Sequence, residues 1–333
     1  TLIIARGGKI DAKGTASKPI IMTAKADNIQ ADGTYPSTGA SLTVNSRGLW
    51  GGLLVLGKAP SSFKGDVSEL QIEGIPVSDT NGLYGGSVSD DNSGTMQYIS
   101  IRHGGAEIGE GNEINGLTLG GVGSGTVIEH IEVIANVDDG IEFFGGTVNA
   151  SYLLVWGQGD DALDIDQAYS GIIDDAYVIL EDASDHGMEI DGPEGSAAGS
   201  FTVKNVTIDG ASKNGKALGV DGEIADFRKA ATGSLSNIYA FDFVKAKDVE
   251  LDADADSQSY TAGTLTFANW DIQFAVGAEG LISDVFVDKS SIGSTFTTDA
   301  ASFAEIVTAK KDDAGATNSE YTWTRWLSLI HIC

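Results

Sequence analysis

A repeat constrains this chain more than any other feature. Asn115-Gly116-Leu117-Thr118, Asp139-Gly140-Ile141-Glu142, Asp161-Ala162-Leu163-Asp164 and His186-Gly187-Met188-Glu189 align at offsets of 24, 22 and 25 residues. A looser copy, Asn214-Gly215-Lys216-Ala217, follows 28 residues later. Between these corners run short apolar stretches: Val127 to Ile134, Tyr152 to Trp156, Tyr177 to Leu180 and Phe201 to Ile208. Their alternation and the turn residues around them predict strands. A sandwich would place hairpin turns every 8–12 residues or so. A period of roughly 20–28 residues with aligned corners predicts a parallel β-helix, of about 12 rungs in a chain this long. Its sharp corners would use the positive φ that Gly and Asn adopt cheaply.

The repeat predicts one solenoid domain over residues 1–326. Two polar, Gly/Ser/Asp-rich stretches, 26–46 and 58–93, read as loops projecting from the rungs. Ala300 to Lys311 has helix-forming composition after Asp299, a suitable N-cap, and predicts a short helix. The ending Leu327-Ser328-Leu329-Ile330-His331-Ile332-Cys333 resembles a translated sequencing adapter. Residues 327–333 are therefore expected to be a non-native artefact of a truncated metagenomic frame, and Cys333 to be no part of the native protein. A genuine apolar last strand is the alternative. Without Cys333 the chain has no cysteine, which leaves out disulfides and thiol chemistry.

Charge narrows the partners. Against 48 acids stand 20 bases, a net charge of −28. Such a chain is repelled by nucleic-acid phosphates and anionic lipid, and cations suit it better. No apolar run approaches the roughly 18 residues of a membrane span. The acids gather at three successive corners: Asp138, Asp139 and Glu142; Asp160, Asp161, Asp164 and Asp166; Asp185, Glu189 and Asp191. Rungs stack about 4.8 Å apart. Aligned acids would then repel unless something neutralised them. Ca²⁺, which takes 6–8 or so oxygen ligands, is the expected counter-ion, and these ten acids are its candidate ligands. No EF-hand loop is present, so the expectation is compositional. The alternative is that the acids cap turns or face solvent.

Several stretches resemble a family of secreted, right-handed parallel β-helix proteins of Gram-negative and marine bacteria. They are Asp90-Asp91-Asn92-Ser93-Gly94, Glu113 to Gly123, Asp138 to Ala150 with Asp160, Asp161 and Asp164, the opening Leu2 to Ile20, and Trp50-Gly51-Gly52-Leu53. The resemblance implies a right-handed solenoid and a secreted, extracellular or cell-surface location. It assigns no activity. The chain also partly resembles polygalacturonase-type hydrolases: Asn136-Val137-Asp138, Gly159-Asp160-Asp161 and His186-Gly187 fall in that order. On that alternative Asp138, Asp160, Asp161 and His186 would carry acid–base hydrolysis of a polysaccharide. The Arg-x-Lys element that should follow is missing from the next expected rung, which offers only Lys213 and Lys216. The leading expectation is thus a non-enzymatic, calcium-binding structural or surface solenoid. Because Thr1 opens inside an apolar strand, head-to-tail stacking of copies into filaments is also expected. The remaining alternatives are a polysaccharide-binding solenoid and an adhesion module acting through the two loops.

Overall fold

The computed structural model describes residues 1–29, 42–106, 114–210 and 222–324. Two long parallel sheets run through it. The first has nine strands, each bonded to the next: Leu2–Ile4, Leu53–Leu56, Leu117–Gly120, Ile141–Phe144, Leu163–Asp166, His186–Asp191, Glu223–Arg228, Val249–Leu251 and Phe286–Asp288. The second runs Ile10–Lys13, Gly94–Arg102, Val127–Ile134, Ala150–Trp156, Ile172–Ile179, Phe201–Asp209, Gly233–Phe243, Leu265–Phe274 and Ala304–Ile306. Ile20–Met22 joins it on Gly94–Arg102. The chain is the all-β, right-handed parallel β-helix that the repeat and the resemblance predict. Its first sheet holds nine strands among the described residues, fewer than the dozen or so rungs expected from length. The difference went largely into residues 58–93, which build a wall and not rungs.

Alternation sets the core. Leu117 and Leu119, Ile141 and Phe143, Leu163 and Ile165, and Met188 and Ile190 point inward and are at most 1% exposed. Each such side chain contributes about 1.5–3 kcal/mol by leaving water. The residues between them point outward and carry the chemistry.

The corner glycines have a different reason from the one expected. Gly116, Gly140 and Gly187 are not among the positive-φ residues. They are small because the next rung is close. A Cβ on Gly140 would sit 2.3 Å from Val155 Cγ1 and 2.7 Å from the Ala162 carbonyl. Positive φ falls at the next corner, after the first-sheet strands, at Gly121, Gly145, Gln167 and Lys229, and again where the second sheet bends. Tyr98, His130, Tyr152, Asp175, Asn205, Asn237 and Asn269 form that column, with φ of 52–68°. Each interrupts its strand: Gln97 pairs with Glu129 and Ile99 with Ile131, while Tyr98 and His130 bend away between them. The fifth corner copy, Asn214 to Ala217, lies outside the described residues.

The stretch 58–93 folds back on the first sheet. Its Leu70–Gln71 and Leu83–Tyr84 pair antiparallel. Phe63, Ile72, Ile75 and Tyr84 pack over the outward Leu54, Leu56 and Phe144. Tyr84 donates from its hydroxyl to Gln167 Oε1 at 2.8 Å, tying the wall to the rungs. Of the other loop, residues 30–41 lie outside the described residues, as do 327–333.

The helix expected over Ala300 to Lys311 is not formed. Phe296–Asp299 is helical, Ala300–Ser302 makes a 3-10 turn, and Ala304–Ile306 joins the second sheet. Helix propensity loses here to burial. Phe296 and Ala300 are fully buried, and Phe286, Phe296 and Phe303 fill the interior of the last rung with ring centroids 5.3–6.0 Å apart. Three more residues, Ala304–Ile306, extend the ladder on residues 270–272.

Candidate cation-binding face

Acids stand on the outward side of the first sheet in two columns. The corner column begins at Asn115. Its Oδ1 accepts the Asp139 N–H at 3.2 Å, Asp139 Oδ1 accepts the Asp161 N–H at 3.0 Å, and Asp161 Oδ1 accepts the His186 N–H at 2.9 Å. Each corner acid therefore holds the rung after it, which is the turn-capping alternative realised with one oxygen of each. The strand column lies three residues further on. Glu142 pairs in register with Asp164, Asp164 with Glu189, Glu189 with Asp226, and Asp226 with Glu250. These five carboxylate side chains follow one another rung by rung, and all are at most 9% exposed.

Their partners alternate. Asn115 Nδ2 donates to Glu142 Oε2, Arg228 binds Glu189, and Lys289 binds Glu250. Asp164 and Asp226, between them, each have a buried Oδ1 that meets no donor among the described residues. Burying such an oxygen without a partner is unfavourable by about 1–3 kcal/mol, more when it is charged.

The site residues predicted from sequence divide accordingly. Asp139, Asp161 and Asp164 each bring an oxygen within 4.8 Å of the others, and all three are buried. Asp138, Asp139 and Asp160 form a second such group, and Asp161, Asp185 and His186 a third. Asp191 is claimed by cations: Arg228 Nε donates to its Oδ1 at 2.7 Å, and Lys229 Nζ bonds its Oδ2. Asp166 lies beside Asp191. His186 donates from Nδ1 to Asp161 Oδ1 at 2.7 Å, with Glu189 at 3.8 Å and Asp185 at 3.9 Å.

These surroundings fix the protonation. Burial, then the charge of Asp161, holds Asp139 well above the usual carboxylate range; burial, then Asp164, does the same to Glu142. Asp164 is raised by burial and then by Asp139. Burial, reinforced by neighbouring acids, lifts Asp160 to about 6, Asp166 to about 7 and Glu189 to about 8. Burial is also the largest influence on Asp226, which reaches about 6. Burial pulls the His186 imidazole down, but Asp161, Asp185 and Glu189 together outweigh it and carry it to about 9. Asp191 alone goes the other way: burial raises it, and Arg228 and Lys229 bring it below its ordinary value. Near neutral pH the face holds more carboxylates than its own cations balance. Buried clusters of this kind could hold metal ions, and apart from His186 their donors are carboxylate oxygens, which suits a hard cation better than zinc.

Sequence reasoning missed Asp226, Glu250, Arg228, Lys229 and Lys289. The repeat points to Lys213 and Lys216 for the missing basic element; Arg228 and Lys229 stand in its place. The signal was present. Glu223-Ile224-Ala225-Asp226-Phe227-Arg228 repeats the alternation of His186-Gly187-Met188-Glu189-Ile190-Asp191, and pairs with it in register. Of the aromatics Phe143, Phe144, Tyr152, Trp156 and Tyr169, which the sequence offers as a sugar platform or as packing, Phe143, Phe144 and Tyr169 are buried and Tyr152 and Trp156 are half-buried.

The hydrolase alternative needs its acid and base apart. Inverting hydrolysis separates the two carboxyls by about 6.5–9.5 Å. Asp138 and Asp160 bring oxygens within 4.8 Å, and Asp161 is engaged by His186.

A comparison with curated proteins finds no match, and neither does one with solved structures. A scan against protein-family models matches the pectate-lyase-like beta-helix domain over residues 1–327. Two parallel sheets stacked over nearly the whole chain are the architecture that match describes, and the chain belongs to the pectate-lyase-like β-helix domain family.

Proposed function

We propose that this protein is an extracellular, non-enzymatic β-solenoid whose outward acidic face binds calcium. One observation carries the reading: Asp164 Oδ1 is buried and meets no donor among the described residues, and Asp164 brings a carboxylate oxygen within 4.8 Å of one from Asp139 and one from Asp161. A bound Ca²⁺ would supply the charge these carboxylates need and accept oxygens from adjacent rungs at about 2.3–2.6 Å. Extracellular calcium modules work at about 10⁻⁴–10⁻³ M, the regime a site assembled from side chains on a rigid ladder suits. Calorimetric titration with Ca²⁺ tests this. Heat of binding that disappears in Asp164→Asn, with the circular dichroism of the β-helix retained, is the expected result. An unchanged isotherm in that variant would sink the assignment.

A second reading rests on Arg228 and Lys229. Their side chains are 34% and 49% exposed on the acidic face, in the rung where the repeat pointed to Lys213 and Lys216. That pairing of basic groups with candidate calcium ligands suits capture of an acidic polysaccharide. Retention on a uronate column that requires calcium and is lost in Lys229→Ala supports it. Release of reducing or unsaturated sugar would overturn the non-enzymatic part of the proposal. End-to-end association is part of the proposal, supported by Leu2 in the first strand and Leu281 and Ile292 towards the other end, which are 44%, 63% and 53% exposed. Analytical ultracentrifugation in calcium and in chelator decides it, a monomer in both counting against it.

A further inference from the structure

The last described segment leaves the solenoid end and runs back over the bend of the second sheet. Gly315 donates its N–H to Asn237 Oδ1 at 3.0 Å, and Ala316 donates to Thr207 Oγ1 at 2.9 Å. Thr317 donates to both oxygens of Asp175 at 3.1 and 3.0 Å, and the Tyr321 hydroxyl donates to Asp175 Oδ1 at 2.7 Å. Glu320 Oε2 lies 3.2 Å from His130 Nε2, and the Trp323 ring meets Tyr98 edge-on at 5.5 Å. The contacts therefore descend from Gly233–Phe243 to Gly94–Arg102, strand by strand. The seating is close. Tyr321 is fully buried against Tyr177, and a Cβ on Gly315 would come within 2.4 Å of Thr207 Oγ1.

A solenoid ordinarily contacts only neighbouring rungs, so its stability is a sum of local terms and it can fray from an end. With Leu154 of Ala150–Trp156 packed beside Ala316 and Tyr321, one segment here touches six consecutive strands at once, in part through side chains that the left-handed bend turns outward. Asp175 and Asn237 are themselves bend residues; their positive φ is what presents an acceptor to the passing backbone. We propose that residues 313–323 are a releasable strap that fastens these rungs into one cooperative unit, so that the solenoid opens by releasing the strap and not by fraying rung by rung. The proposal stands independently of any cation on the opposite sheet.

Native-state hydrogen exchange on the full chain tests it. Thr317→Pro removes the N–H that Asp175 accepts, and the Thr317 φ of −83° is one proline can adopt. Tyr321→Phe removes only the hydroxyl. With the strap intact, the amides of residues 131–133, 153–155, 176–178 and 206–208 should exchange together. Losing a hydrogen bond to a carboxylate should speed all four sets by about tenfold. Acceleration confined to residues 176–178, or a graded decline away from them, would overturn the proposal. If Thr317→Pro does not fold, Tyr321→Phe alone decides the matter on the same criterion.

Discussion

Replacing Asp164 by Asn should change sign with calcium. The substitution keeps the shape of the side chain and removes its charge. Asp164 is 8% exposed and lies within 4.8 Å of oxygens on Asp139 and Asp161. At that distance, with an effective dielectric of about 20, two fully ionised carboxylates repel by roughly 3.5 kcal/mol. Partial protonation reduces what is realised, so in chelator the variant should be about 1–3 kcal/mol more stable than the parent. For a chain of this size that raises Tm by about 2–5 °C. In calcium the parent gains what the variant cannot. At a hundredfold excess over Kd the gain is about 2.7 kcal/mol. The variant should then melt below the parent. Differential scanning calorimetry of both proteins in chelator and in calcium reads all four values. Equal differences in the two conditions would refute the reasoning, because a purely packing effect does not respond to calcium.

Protonation gives an independent check in chelator. Asp160, Asp166, Glu189 and Asp226 have folded values of about 6, 7, 8 and 6, above their ordinary carboxylate values. A raised acid contributes stability below its unfolded pKa and loses it as pH rises to its folded value, so the metal-free protein should be steadily less stable between about pH 4 and pH 8. His186, raised to about 9, acts in the same direction over a higher window. Urea midpoints across that range that stay flat or rise would contradict the protonation described. Arg228→Met should destabilise by about 2–4 kcal/mol, because Glu189 loses its cation and Asp191, with its side chain 2% exposed, keeps only Lys229. Equilibrium unfolding measures it, and a change below about 1 kcal/mol would mean solvent already carries that pair. Gly140→Ala should cost about 1–3 kcal/mol from its clash with Val155, whereas Ala162→Gly at the equivalent corner should cost less than about 1 kcal/mol. Equal costs would place the glycine requirement elsewhere than in rung spacing.

The fold was legible because its strongest signal is local and repeated. Corners at 115, 139, 161 and 186 recur in the chain as they stack in space. The site was legible only where the repeat stayed regular. Glu142, Asp164 and Glu189 followed from the period; Asp226 and Glu250 did not. The spacing from Glu189 to Asp226 includes residues 211–221, and the loose match at Asn214 drew the register away from the strand Glu223–Arg228. The short helix expected near Ala300 failed for another reason. Composition reports intrinsic preference, while the open end of a solenoid offers a strand edge and an apolar interior to fill. The strap was not legible at all, since nothing in Gly315-Ala316-Thr317 names the acceptors 78 to 142 residues earlier that receive it.

The two acidic columns also resolve why turn-capping and cation binding competed evenly in the sequence. Both readings describe acids at corners; turn-capping holds for Oδ1 of Asp139 and Asp161, and the proposed cation site would draw on other oxygens. Asp139 and Asp161 each commit Oδ1 to the backbone of the next rung, so replacing either removes a corner bond as well as a charge. Asp164 and Asp226 hold no backbone N–H among the described residues, and their register is set by the sheet itself. A loss of calcium binding after substitution at Asp139 or Asp161 would therefore say little about the ion. The strand column separates the two effects. If Asp164→Asn abolishes binding and Asp226→Asn leaves it intact, the ion sits with Asp139 and Asp161; the reverse result moves it towards Glu223 and Glu250. Binding that survives both substitutions would return the whole column to the role of a repelling surface balanced by Arg228 and Lys289 alone.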